Sequence, residues 1–258
     1  MNSKRNKWEF YEACSSGDLP YIKRIIHKSN VNQTCPYGKT GFIMACINGH
    51  IDVIKFLLKF KLNFNKLDKF GKTGFIYACE YNRLEIVRLL IVNPEIDVNK
   101  CSINAMNAFM VACHKYNIDI VNLLIYNNRV NLTRTLKGKT PLMVVCENPY
   151  LHVNRLKLIK ILLTNNLSLN EVDYYGNTAF MTVCINNDIE AATLLLANKD
   201  IDINIANNEN KTAYDLIVER EYRILENLLE SSERITNCRI TRSFISVIFA
   251  RTLSMLNI

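Results

Sequence analysis

The stretch Gly71-Lys72-Thr73-Gly74-Phe75-Ile76-Tyr77-Ala78-Cys79, followed by Leu84-Glu85-Ile86-Val87-Arg88-Leu89-Leu90, is one copy of a unit that recurs along most of this 258-residue chain. Each copy has an anchor residue, which is threonine in all but one: Thr40, Thr73, Asn107, Thr140, Thr178 and Thr212. The steps between anchors are 33, 34, 33, 38 and 34 residues. Most copies share a glycine two residues before the anchor and a cysteine six residues after it. A fixed period of this length indicates a repeat architecture.

Each copy predicts two short helices. Thr40 is suited to cap the first helix, because its side-chain oxygen can accept a hydrogen bond from a free backbone N–H. Asn48-Gly49-His50 is expected to end that helix, since glycine tolerates a left-handed turn. Apolar residues at helical spacing, Val53, Phe56 and Leu57, predict the second helix, and an extended loop follows. Neither helix buries its apolar face alone, so we predict an all-α solenoid of stacked helix-turn-helix units with extended loops.

The chain resembles the ankyrin-repeat family, whose period is 33 residues. The family's landmarks stand here as Gly138-Lys139-Thr140-Pro141-Leu142, Gly49-His50, Leu57-Leu58 and Ile96-Asp97-Val98-Asn99. The resemblance covers roughly residues 8 to 229. The place that the family usually gives to histidine is filled by Ile43, Ile76, Met110, Met143 and Met181. This departure implies the loss of a hydrogen bond between neighbouring loops, and we expect those copies to be less rigid.

Three segments are predicted. Residues 1–7 form a basic N-terminal segment, residues 8–230 form an array of about seven repeats including its caps, and residues 231–258 form a tail that suits a short amphipathic helix. Three roles compete for the tail: covering the end of the stack, docking another protein, and contacting an acidic membrane surface. The longest step reflects a five-residue insertion near Pro149, which we interpret as neutral drift in preference to a contact feature.

Composition favours an intracellular protein. No signal pattern opens the sequence, and no apolar run reaches membrane-spanning length. Six of the nine cysteines share one repeat position, namely Cys14, Cys46, Cys79, Cys113, Cys146 and Cys184. Packed helices lie too far apart for disulfides at this position, so the thiols are predicted to fill core space in a reducing compartment. The cytoplasm is the preferred location, the host cytoplasm if the source is viral or bacterial, with the nucleus as an alternative.

No motif of catalysis or metal binding is present in the sequence. Its four histidines, His27, His50, His114 and His152, lie in different repeats without a recurring acidic partner, and His50 fits the turn between helices. The Gly-Lys-Thr of three copies lacks the preceding glycine of a phosphate-binding loop, and its repetition favours helix capping. Cysteine and histidine spacing matches no zinc motif. We predict no catalytic residue, no metal and no cofactor.

The net charge of +8 is concentrated at the two ends, which carry three positive charges each. The array itself is therefore nearly neutral, and nucleic-acid binding is disfavoured. Its middle loops are nonetheless basic, with Lys39, Lys66, Lys69, Lys72, Lys100, Arg134, Lys137 and Lys139 against Asp68, whereas later loops are slightly acidic. The concave face is expected to be positive in its N-terminal half. That charge either steers an acidic partner segment or is ordinary solvated surface.

Aromatic residues reach the same loops one or two positions before the loop glycine. Rings at such tips are enriched in binding hot spots, although packing on neighbouring loops is an equal alternative. The predicted partner-binding residues are Tyr37, Lys39, Lys69, Phe70, Lys72, Lys137, Lys139, Tyr174 and Tyr175. We predict a monomeric, non-enzymatic scaffold that binds a partner protein through the concave face and loop tips. The alternative is an adaptor whose tail recruits other machinery or a membrane surface while the array binds the target.

Overall fold

The computed structural model describes residues 8–132, 138–147 and 153–232. The chain divides into two compact units, Met1–Ser168 and Leu169–Ile258. Within the described residues the regular structure is helical, and the only β-type pairing is an isolated bridge between Thr34 and Thr40. The predicted all-α class is therefore confirmed. The predicted boundaries at residues 8 and 230 stay a prediction.

The first unit contains ten described α-helices arranged as consecutive pairs. The first helix of each pair stacks on the first helix of the next pair, from α1 through α9, and the second helices α4, α6 and α8 likewise contact one another in order. Their bounds are α1 Glu9–Ser16, α2 Leu19–Ile25, α3 Gly41–Asn48, α4 Ile51–Leu57, α5 Gly74–Glu80, α6 Leu84–Ile91, α7 Ala108–His114, α8 Ile118–Ile125, α9 Pro141–Cys146 and α10 Arg155–Thr164. A 3-10 turn, Ile26–Lys28, follows α2.

The second unit repeats this arrangement with four described helices. They are α11 Ala179–Ile185, α12 Ile189–Leu196, α13 Ala213–Glu219 and α14 Arg223–Ser231. The first helices α11 and α13 pack on each other, and each also packs on its own second helix. The predicted stacking of helix pairs is thus confirmed within each unit. The insertion near Pro149 falls largely on residues 148–152, and most of the tail on residues 233–258, and both lie outside the described residues.

Every anchor residue caps the helix that follows it. In the copy of Thr73, the side-chain oxygen accepts a hydrogen bond from the backbone N–H of Ile76 at 3.2 Å. The same bond is made by the other anchors, Thr40, Asn107, Thr140, Thr178 and Thr212. Asn107 keeps the function because its amide oxygen serves as the acceptor, 3.0 Å from Met110 N. The predicted role of the anchor as a helix cap is confirmed.

In the copies of Thr40 and Thr73, the residue nine positions after the anchor lies just beyond the first helix and has a positive φ. Gly49 takes this place at φ 87°, and Asn82 does so at φ 54°. The next side chain reaches back to the first helix of the preceding copy. A ring nitrogen of His50 lies 2.9 Å from the carbonyl oxygen of Ser15, and Arg83 Nε donates to Ile47 O at 2.9 Å. His50 therefore lies in the turn between helices, as the sequence predicted, and the structure shows in addition that it links two copies.

In the copies whose loop the structure describes in full, the five residues before the anchor form a tight turn, which we call the anchor loop (residues 68–72 in the copy of Thr73). Asp68 is buried, and its Oδ1 accepts hydrogen bonds from the backbone N–H groups of Phe70 and Lys72, both at 2.9 Å. The fourth residue of the loop has positive φ, 68° at Gly71. A Cβ at Gly71 would lie 2.8 Å from Ile103 N in the next loop, so glycine is required there. The treatment of Asp68 as a surface charge was wrong, because its carboxylate holds the loop together.

Neighbouring anchor loops are tied through their backbones. In the first unit Lys69 N donates to Tyr37 O at 3.0 Å, and Ile103 N donates to Phe70 O at 3.1 Å. In the second unit Asn208 N donates to Tyr175 O at 3.1 Å. The loops are connected in this way although isoleucine and methionine fill the family's histidine position. The lower rigidity expected of those copies stays a prediction.

A second series of bonds between copies is made by asparagines eight residues before the anchor, which we call the asparagine ladder (Asn65, Asn99 and Asn170). Asn65 Nδ2 donates to Glu95 O at 2.7 Å, while its Oδ1 accepts from Asp97 N at 2.8 Å. Asn99 and Asn170 make the same two bonds one period further on in their units. Each amide thus uses its donor and its acceptor on the backbone of the next copy.

The six cysteines at the shared repeat position are all buried, and none of them forms a disulfide. Burial raises the pKa of Cys14 to about 12, and it also raises the pKa of Cys46, Cys79, Cys113 and Cys184. A buried thiol in apolar surroundings is a poor nucleophile, because the reactive thiolate is disfavoured there. The interpretation of these cysteines as core residues is confirmed.

Candidate functional site

The described residues contain no group of three or more histidine, cysteine, aspartate or glutamate side chains placed to hold a metal ion. Within the same residues, no helix combines the length and the hydropathy that a membrane span requires. The features that stand out are instead exposed rings and lysines on the anchor loops.

Three exposed apolar side chains stand on consecutive anchor loops of the first unit, and we call them the loop-tip row: Tyr37, Phe70 and Ile103. Their exposed fractions are 64%, 46% and 64%. The backbone bonds between these loops hold the three side chains in sequence. The prediction that the rings of Tyr37 and Phe70 reach the surface is confirmed. Ile103 was missed because only aromatic residues at these positions were considered, although it stands two positions before Ala105, which takes the place of the loop glycine.

The lysine directly before the anchor forms an ion pair with a glutamate seven residues after the anchor. Lys72 Nζ lies 2.6 Å from Glu80 Oε2, and Lys139 pairs in the same way with Glu147. In the second unit Lys211 Nζ lies 2.9 Å from Glu219 Oε2. From the sequence, Lys72 and Lys139 were interpreted as basic residues without these partners. The glutamates were missed, although their recurrence eight positions after a lysine in three copies is a signal that the sequence carries.

Lys39 and Lys72 share the ring of Tyr77, and we call Lys39, Asp68, Lys72, Tyr77 and Glu80 the lysine–tyrosine cluster. Lys39 Nζ lies 4.9 Å from the ring centroid and Lys72 Nζ lies 5.2 Å from it. The Tyr77 hydroxyl donates to Asp68 Oδ2 at 2.6 Å. Burial, followed by the hydrogen bond to Asp68, raises the pKa of Tyr77 well above its ordinary value. The neutral ring therefore attracts both ammonium groups through its π face.

His114 lies beside this cluster, at the position in its own copy that Glu80 has in the copy before. Burial lowers the pKa of His114 below its ordinary value of 6.5, and the charges of Lys115 and Lys72 lower it further, while Glu80 opposes them. The imidazole is therefore mostly neutral at pH 7. Tyr81, 48% exposed, adds a further ring, 6.2 Å from that of Tyr77.

The structure brings five of the nine predicted binding residues onto adjoining loops of the first unit: Tyr37, Lys39, Lys69, Phe70 and Lys72. Lys139 stands in the same unit, and Lys137 lies outside the described residues. In the second unit, Tyr174 and Tyr175 are 76% and 58% exposed, with their rings packed edge to face at 5.5 Å. The binding role of all nine residues stays a prediction.

A family model and two solved structures that are similar to this chain all belong to ankyrin repeats. The family model "Ankyrin repeats (3 copies)" matches residues 10–101, 92–173 and 151–239. The crystal structure of the ankyrin repeat domain of Bcl-3, a member of the IkappaB protein family, is similar at a TM-score of 0.75 and 20% identity, over 86% of this chain and 97% of that one. The human ASB11 ankyrin repeat domain is similar at a TM-score of 0.65 and 22% identity, over 83% of this chain and 96% of that one. The comparison with curated protein sequences gives no match.

Proposed function

The chain belongs to the ankyrin-repeat family, and from that premise we propose that it is a non-enzymatic scaffold that binds a partner protein through the anchor loops and first helices of its first unit. Ankyrin-repeat domains are in general protein–protein interaction modules. The loop-tip row is the observation that carries the proposal. Three large apolar side chains in a row, on loops fixed by backbone bonds, form a preorganised surface, so these loops lose little conformational entropy when a partner binds.

The charges around the row suit an acidic partner segment. Lys39, Lys69 and Lys72 surround Tyr37 and Phe70 in the sequence of the two loops. Glu80 neutralises the charge of Lys72, and the charges of Lys39 and Lys69 leave the surface positive. Positive charge at the edge of an apolar contact raises the rate of association with an acidic segment and helps to set its register.

The test replaces the two rings together, Tyr37→Ala and Phe70→Ala, and measures the affinity for each protein captured from extracts of the cells that express the chain. Loss of a central aromatic contact typically costs about 2 kcal/mol or more, so the double variant should bind at least about thirtyfold more weakly. A matched control removes exposed apolar groups elsewhere in the unit, Val92→Ala and Tyr126→Ala, which are 73% and 76% exposed. Equal affinity of the ring variant and the control for every captured protein would refute the proposal.

An adaptor is the second candidate function, and the sequence of the tail favours it. Residues 231–258 combine apolar side chains such as Phe244 and Phe249 with four arginines, a composition suited to docking on another protein or an acidic membrane surface. Deletion of residues 233–258 separates the two candidates. An adaptor would keep its target affinity and lose its cellular effect, whereas a simple scaffold would keep both.

We also propose an intracellular, cytoplasmic location. The six buried thiols at one repeat position support it, because free cysteines persist in a reducing compartment. Fluorescence microscopy of the tagged full chain, with expression at native level, tests this location directly.

A further inference from the structure

The inference rests on the proposed function and concerns one lysine of the binding surface. In three copies the residue before the anchor is a lysine and the residue seven after it is its glutamate partner; the pairs are Lys72–Glu80, Lys139–Glu147 and Lys211–Glu219. The copy of Thr40 has the lysine, Lys39, but its second position is Ile47. Ile47 is buried in an apolar cluster with Ile43 and Tyr77. This copy therefore lacks the internal carboxylate that the other three provide.

Lys39 has no ion pair with any residue in the described part of the chain. Its ammonium group lies over the ring of Tyr77, 4.9 Å from the centroid, and a contact of this kind leaves the charge in place. The nearby carboxylate of Asp68 is already shared by three donors, the N–H groups of Phe70 and Lys72 and the hydroxyl of Tyr77. Lys39 is thus half of an ion pair whose other half no carboxylate of the described residues supplies.

The second ammonium group at the same ring is that of Lys72, 5.2 Å from the centroid, and Glu80 is its ion-pair partner. A carboxylate that approaches Lys39 would accept a charge-assisted hydrogen bond from its ammonium group, while Glu80 stays paired with Lys72. Each of these lysines stands two residues after an exposed ring, Tyr37 in one loop and Phe70 in the next. A segment that crosses the loop-tip row therefore passes beside the site.

We propose that Lys39, which shares the ring of Tyr77 with Lys72, binds the carboxylate of a glutamate or aspartate in an extended segment of the partner protein. The partner's carboxylate takes the place at Lys39 that a glutamate of the chain itself takes in the copies of Thr73, Thr140 and Thr212. This site gives the surface a requirement for one acidic residue at a fixed distance from the apolar contacts.

The experiment uses the full chain with 13C-labelled lysine and tyrosine, and it needs no identified partner. Acetyl-Ala-Glu-Ala-amide is titrated in 50 mM NaCl while NMR follows the lysine ε-methylene and tyrosine ring signals. We expect saturable shifts at Lys39, Lys72 and Tyr77, and much smaller shifts with acetyl-Ala-Gln-Ala-amide. In Lys39→Gln the apparent affinity should fall about tenfold, the loss typical of one charge-assisted hydrogen bond.

Two further variants keep the test decisive. Ile47→Glu supplies the missing carboxylate from the chain itself, so it should occupy the site and abolish the peptide-induced shifts at Lys39. The matched control is Lys157→Gln, because Lys157 is an exposed lysine on α10, and this variant should leave the titration unchanged. If Ile47→Glu fails to fold, as judged by circular dichroism, the comparison of Lys39→Gln with Lys157→Gln still decides the question.

Equal shifts at all lysines, equal shifts with the glutamine peptide, or an unchanged affinity in Lys39→Gln would each overturn the proposal. A single-stranded oligonucleotide that shifts Lys39 and Lys72 more strongly than the glutamate peptide in 150 mM NaCl would overturn it in favour of nucleic acid. These outcomes are independent of the affinities that the Tyr37→Ala, Phe70→Ala variant shows for captured proteins. A failure of the Lys39 proposal is therefore distinguishable from a failure of the proposed function.

Discussion

At the fourth residue of the anchor loop, replacing glycine by alanine and replacing alanine by glycine should change the free energy of unfolding in opposite directions. Gly71 occupies this place at φ 68°, whereas Ala105 occupies it in the next copy at φ 54°. Both backbones are left-handed, a conformation in which a Cβ is unfavourable. Gly71→Ala should therefore destabilise the protein, and Ala105→Gly should stabilise it.

The expected magnitudes follow from the geometry. A left-handed alanine costs about 1–2 kcal/mol, while the stiffer unfolded chain returns about 0.4–1 kcal/mol. At Gly71 the new Cβ also lies 2.8 Å from Ile103 N and 3.1 Å from the Ser102 carbonyl carbon, so the backbone of the neighbouring loop must move. The sum is a loss of about 2 kcal/mol for Gly71→Ala and a gain of about 0.5–1 kcal/mol for Ala105→Gly.

Urea unfolding of the full chain, followed by circular dichroism at 222 nm, measures both effects. With a slope of about 3 kcal/mol/M, the midpoint should fall by about 0.7 M for Gly71→Ala and rise by about 0.2–0.3 M for Ala105→Gly. The chain itself supplies a control, because Asn210 takes the same place at φ 58°. Asparagine tolerates this region better than alanine, so Ala105→Asn should fall between alanine and glycine.

Two results would refute this reasoning. A lower midpoint for Ala105→Gly would mean that the Ala105 methyl group makes contacts worth more than its strain. An unchanged midpoint for Gly71→Ala would mean that the neighbouring loop yields without cost. Either result would mean that the left-handed conformation of the loop does not determine the free energy of unfolding in the way described.

Three other predictions follow from the described contacts. Asn99→Ala removes two bonds of the asparagine ladder and should lower the free energy of unfolding by about 1–2 kcal/mol in urea titrations, with a smaller loss for Asn99→Asp, which keeps the acceptor. In native iodoacetamide labelling mapped by mass spectrometry, exposed Cys101 should react while buried Cys79 stays unlabelled; equal labelling would contradict the core assignment. The NMR titration midpoint of His114 should lie below pH 6.5 and should rise in Lys72→Gln, whereas a midpoint above 6.5 would contradict this prediction. Because the unfolded chain binds this proton more tightly than the folded chain does, the free energy of unfolding should decrease as the pH falls from about 6.5 through the folded pKa.

The helix pairs could be predicted from the sequence because the physics that forms them is local and repeated. A threonine oxygen caps the N–H three residues later, so the cap at Thr73 follows directly from the spacing of residues. The recurrence of a small apolar side chain at one position, such as Cys79, likewise indicates a face that is buried in every copy. Even Asn107, which breaks the threonine pattern, keeps the geometry because its amide supplies the same acceptor.

The candidate site was only partly predictable, since its chemistry depends on groups that lie on different elements. Asp68 has the sequence context of an exposed loop charge, and only the folded turn shows that its oxygens accept from two backbone N–H groups and a hydroxyl. Tyr77 has the periodicity of a core residue, and its partnership with Lys39 of the preceding copy requires the stacking of two repeats. Composition alone assigns each of these charges to solvent, whereas the fold assigns them to one another.

The asparagine ladder also bears on how a chain of this kind changes its length over generations. Each amide belongs to one copy but bonds only the main chain of its successor, so the junction makes little demand on which side chains the successor carries. The amide of a duplicated copy inserted by recombination would bond the same two main-chain groups, one C=O and one N–H, of the copy that follows it. The inserted copy would itself present these two groups to the amide of the copy before it. Growth or shortening by whole periods therefore preserves the kind of junction that Asn65, Asn99 and Asn170 make, and the surface residues of each copy are free to diverge toward new targets.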